Sequence, residues 1–119
     1  MVNYVGRSVN TWRKQMQKTN KPVTCADGFT MSVQANEGSY CTPRIDDADF
    51  YTEVEVGYPS HKESLLMHYA ENRDKPTGTV YGWVPATTVA LVCAKHGGVL
   101  SGELPKGVPL FTVEQCRKP

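Results

Sequence analysis

Two stretches of this chain alternate between apolar and polar side chains. Phe29-Thr30-Met31-Ser32-Val33-Gln34-Ala35 sets Phe29, Met31, Val33 and Ala35 on one side, and Tyr51 to Tyr58 sets Val54, Val56 and Tyr58 opposite Glu53 and Glu55. Successive side chains on a strand point to opposite faces, so this period predicts two half-buried strands of one sheet. Val23-Thr24-Cys25 predicts a shorter strand ahead of them, joined through the turn residues Ala26-Asp27-Gly28. In Thr79-Val80-Tyr81-Gly82-Trp83-Val84 the pattern predicts a further strand, with Val80 and Val84 on one face and Tyr81 and Trp83 on the other. Gly82 interrupts it, as glycine does at a bulge or where another group comes close to the backbone.

The helical signals are different. After Pro59, Ser60-His61-Lys62-Glu63 has the form of a capping box and predicts a helix over about 61–72, with Leu65, Leu66 and Tyr69 as its apolar stripe. Pro85 suits a first helical turn, Val89, Val92, Cys93 and His96 recur at helical spacing, and Gly97 supplies a left-handed stop, which predicts a helix over 85–96. Val108 to Val113 reads as an edge strand. Together these predict an α+β domain, a mainly antiparallel sheet of about three to five strands with two helices. The domain spans 22–113, with a basic arm over 1–21 and a loose tail over 114–119.

Composition adds little to that until charge is mapped along the chain. A length of 119 residues suits one domain, and no apolar run approaches the ~18 residues of a membrane-spanning helix. Residues 1–21 carry five bases and no acid, whereas 22–60 carry seven acids and only Arg44 as a base, so +5 is followed by −6. Such polarity steers partners, and it lets the arm of one chain bind the acidic segment of another, which puts a homo-oligomer among the expected partners. The opening residues Met1 to Arg7 lack the apolar core of a secretory signal, so a reducing cytoplasm is expected, with Cys25, Cys41, Cys93 and Cys116 as thiols.

Candidate chemistry is sparse. Cys93-Ala94-Lys95-His96 with Cys25 and Cys41 has the ligand types of a zinc site, but Cys25 and Cys41 lack the short spacing of paired ligands. Cys41 near Arg44 is a conceivable nucleophile, yet no signature orders His61, His68 or His96 beside it as a base. Asp46-Asp47-Ala48-Asp49 lacks the glycine and glutamate of a calcium loop, and Gly97-Gly98 follows a helix where a phosphate cradle precedes one. The basic arm with Trp12 offers phosphate and base contacts, but the acidic domain behind it opposes nucleic acid. No catalytic residue, metal or cofactor is therefore assigned. What remains is a contact surface of Tyr40, Arg44, Tyr81 and Trp83, since aromatics and arginine supply most of the energy at binding hot spots.

The words Asp27 to Ala35, Tyr40-Cys41-Thr42-Pro43-Arg44, Tyr51 to Ser60 and Thr79 to Pro85 together resemble a family of small uncharacterised proteins of tailed bacteriophages, over about residues 21–98. The resemblance implies a setting, the host bacterial cytoplasm, and no site. With that setting, the expectation is a non-enzymatic accessory protein that acts in host takeover or against defence. It would engage a host or defence-system protein or sequester a small anionic, nucleotide-like signal, with Arg44 on phosphate and Tyr40, Tyr81 or Trp83 on the base. A structural or virion-assembly component, and a cysteine- or zinc-dependent enzyme, are the alternatives.

Overall fold

The alternating stretches form the middle of a five-stranded sheet in which every neighbouring pair of strands is antiparallel. The computed structural model describes residues 19–117, so the basic arm lies outside the described residues except for its last three, as do residues 118–119. In chain order the elements are β1 (Val23–Cys25), β2 (Thr30–Gln34), β3 (Glu53–Gly57), β4 (Val80–Pro85), α1 (Ala86–Lys95), β5 (Val99–Ser101) and α2 (Val113–Arg117). The sheet order is β4-β3-β2-β1-β5, which puts β4 and β5 at its edges.

One face of the sheet is the core. Val23, Cys25, Met31, Val33, Val54, Val56, Tyr81 and Val84 from the strands join Val89, Val92 and Cys93 of α1 in a single buried cluster. Each such valine removed from water contributes about 1.5–3 kcal/mol, so the face is strongly specified. The opposite face carries the polar partners of the alternation, among them Ser32, Gln34, Glu53 and Glu55, all half-buried. α1 begins directly after Pro85, and Gly97 at φ +90° turns the chain out of it, tight against Ala26.

Four expectations need correction. The helix over 61–72 is only a 3-10 turn at Met67–Tyr69. Ser60 Oγ accepts the amide of Thr30 on β2, and Glu63 is drawn inward to α1, so neither is available for a capping box. Ala70 then bridges to Tyr81 and the amide of Glu71 donates to Val80, which extends the chain beside β4 where the helix would have continued. Tyr58 does not share the buried face of Val54 and Val56; it sits at φ +48° beyond the end of β3 and is exposed. The edge strand beyond β1 is Val99–Ser101, and of the predicted 108–113 strand only Thr112 makes a bridge, to Val99. Tyr81 and Trp83 do not share a face, for the reason that follows.

Candidate functional site

Val54 pairs with Val84 and Val56 with Tyr81, so the single residue Glu55 faces two, Gly82 and Trp83. This is a β-bulge, and the extra residue shifts the parity of the strand. Tyr81 and Val84, three positions apart, both enter the core, and Trp83 is left on the outside, 47% exposed. Tyr81 is thereby removed from the proposed contact surface: its ring is fully buried and its hydroxyl donates to the carbonyl of Pro76. Trp83 adopts φ +50°, a region that bulky residues avoid.

The other three candidates meet. The loop from β2 to β3 folds back so that Thr42 bridges to Glu53, and Tyr40 is fixed at both ends of its peptide unit. Its amide donates to Glu55 Oε1 at 2.9 Å, and its carbonyl accepts the amide of Trp83 at 3.0 Å. Gly82 is what admits the ring: a Cβ there would lie 3.2 Å from that of Tyr40. Tyr40 and Trp83 stack with centroids 4.9 Å apart and planes 27° from parallel, and the Arg44 guanidinium lies 5.2 Å from the Tyr40 centroid. Arg44 Nε donates to the carbonyl of Glu37, and its terminal nitrogens make no hydrogen bond to the described residues. The surface is mixed in charge: besides the guanidinium it carries Glu55, which takes the Tyr40 amide, and Glu53, which takes the Thr42 hydroxyl.

Cys41, inside the same loop, is buried and donates to the carbonyls of Asn36 and Pro43. Burial pushes its thiol up from the usual value, and the nearby Arg44 does not offset that, so it is no activated nucleophile. The zinc set is not assembled: among the described residues no three or more His, Cys, Asp or Glu side chains are arranged so that they could hold a metal ion. A cleft of about 490 Å³ opens elsewhere, between Asp46, Asp47 and Tyr51 on one side and Leu104 and Lys106 on the other, and shares no residue with the aromatic stack.

A second charged constellation went unread in the sequence. His96, just past α1, donates or accepts at both ring nitrogens: Nδ1 is 2.6 Å from Asp27 Oδ2 and Nε2 is 2.6 Å from Glu63 Oε1. Its ring stacks on Phe29 at 4.1 Å, and Lys95 Nζ reaches the other oxygen of Glu63 at 2.9 Å. That same oxygen accepts the amide of Leu65. Burial alone would lower the His96 pKa, but the hydrogen bonds and charges of Asp27 and Glu63 prevail and hold it above the ordinary value. Burial likewise opposes ionisation of Glu63, and Lys95, the Leu65 amide and His96 overcome it, leaving its pKa low. The amide of Phe29, then His96, lower that of Asp27. Asp27, Glu63 and His96 lie on three separate segments, and no local spacing announces them.

Among the described residues no helix is long and apolar enough to cross a membrane. Compared with known proteins, the chain matches no family model, no curated protein and no solved structure.

Proposed function

We propose that this is a non-enzymatic binding protein that engages a partner protein through the Arg44–Tyr40–Trp83 stack. The observation that carries the reading is Trp83 itself. A bulky residue at φ +50° costs on the order of 1–3 kcal/mol, and that strain ordinarily persists where a side chain has to be presented. Here the strained residue presents an indole to solvent on a rigid strand, backed by Tyr40 and Arg44. Tryptophan, tyrosine and arginine held in one place are the composition of a binding hot spot. Glu53 and Glu55 beside them disfavour a polyphosphate, which weighs for a protein partner over a nucleotide-like signal.

The phage setting rests on the sequence resemblance alone. Within it, the partner is a host or defence-system protein met in the bacterial cytoplasm. Quantitative capture from infected-cell lysate with the wild-type chain, Trp83→Ala and Arg44→Ala is the test. A specific partner should be retained by the wild type and lost severalfold by both variants. Equal capture by all three removes the reading, release of a small anionic metabolite in place of a protein supports sequestration, and stoichiometric presence in purified particles supports the virion component.

A further inference from the structure

We propose that His96 is a proton-operated latch, held as an imidazolium between Asp27 and Glu63, which on losing its proton lets go of Asp27 and keeps Glu63. The argument is one of donors. An ionised carboxylate can only accept a hydrogen bond, and a neutral imidazole has a single N–H. Both ring nitrogens lie 2.6 Å from carboxylate oxygens, so two protons are needed to satisfy both contacts. The surroundings agree. His96 caps the C-terminal end of α1, where cations are favoured, and lies flat on the ring of Phe29. The groups that face it are Asp27 from the β1–β2 turn, Glu63 from the segment after Pro59, and Cys25 of β1. Lys95, on its own helix, is turned to Glu63.

The two carboxylates are not equivalent, which fixes what happens when one proton leaves. Glu63 is 2% exposed and has no water to turn to, so an unpartnered oxygen there is costly. Asp27 is 51% exposed and can rotate into solvent, keeping its other oxygen on the amide of Phe29. The remaining N–H therefore stays on Nε2, and the side-chain tie from His96 to the β1–β2 turn is the one released, while the backbone bonds from the Asp27 amide to the His96 carbonyl and from the Ala26 amide to the Gly98 carbonyl stay. Because folding raises the His96 pKa, its contribution to stability is whole below the unfolded value of about 6.5 and is lost as pH rises through the higher folded value. Asp27 and Glu63 set the acid limit. Their folded pKa values are lowered, so their contributions are whole above about pH 4.5 and are lost as pH falls through the folded values.

Imidazole NMR on the full-length chain, with urea unfolding across the same pH range, tests this. His96 should titrate above 6.5, Nδ1 should be the nitrogen that loses its proton, and Asp27→Asn should lower the midpoint. The folding equilibrium constant should fall about tenfold for each unit by which the folded pKa exceeds the unfolded one. A midpoint at or below about 6.5, loss of the proton from Nε2, or a midpoint that Asp27→Asn leaves unmoved overturns the latch. Asp27→Asn changes an exposed side chain and keeps the Glu63 contacts, so the test does not depend on a His96 variant that folds.

Discussion

Two ring stacks, each with a cation and flanking carboxylates, lie on this small domain and have opposite fates. Around His96 the stack is closed: Phe29 covers one ring face, Asp27 and Glu63 take both nitrogens, and Lys95 balances the remaining charge. Around Trp83 the stack is open, with Tyr40 against it, Arg44 on Tyr40, and much of the indole in solvent. The same residue types thus serve cohesion where every contact is returned within the chain, and stand open to solvent where a contact is left unreturned. Residue type alone does not separate the two cases; the count of satisfied partners does.

The comparison can be broken from the closed side first. Glu63→Ala leaves Lys95 and His96 without their shared anion and should cost about 3 kcal/mol, read as a lower urea midpoint at unchanged slope. Capture of the partner should survive in the folded fraction. On the open side, Gly82→Ala puts a methyl 3.2 Å from Tyr40 Cβ and should cost about 1 kcal/mol. Its diagnostic effect is separation of Tyr40 from Trp83, visible as a change in Trp83 emission in a Trp12→Phe background. The smallest stability effect belongs to Trp83→Gly. Relief of the positive φ is set against the lost stack and the freedom of glycine, so stability should move by less than about 1 kcal/mol while capture disappears. A large loss of stability there would mean that the indole is structural.

How much of this was legible follows the range of the signal. The central strands β2 and β3 and the helix α1 are written in local periodicity, and Met31, Val33, Val54, Val56, Val89, Val92 and Cys93 are buried as that periodicity requires. The nearness of Tyr40 and Arg44 on one loop was legible too, since they stand four positions apart. Trp83 was singled out for its chemistry and placed on one face with Tyr81, because alternation cannot register an inserted residue; Tyr81 is buried and Trp83 exposed. The 61–72 helix failed because local caps competed with partners far along the chain: Thr30 took Ser60, while Lys95 and His96 took Glu63. The His96 cluster was invisible for that reason too, its carboxylates being 69 and 33 residues away.

The bulge at Gly82–Trp83 has a further consequence, for how this protein can change over time. The strand reads inward at Tyr81 and inward again at Val84 only because two residues stand where one would suffice. Deleting either one would restore plain alternation, with Val84 still inward beside Val54, and would remove the extra residue that the bulge adds. Length at this edge can therefore fall by one residue without turning the core face, while the choice of residue at 83 is limited by its φ of +50°. A one-residue deletion here would take away the outward position at 83 and leave the buried face of the sheet in place.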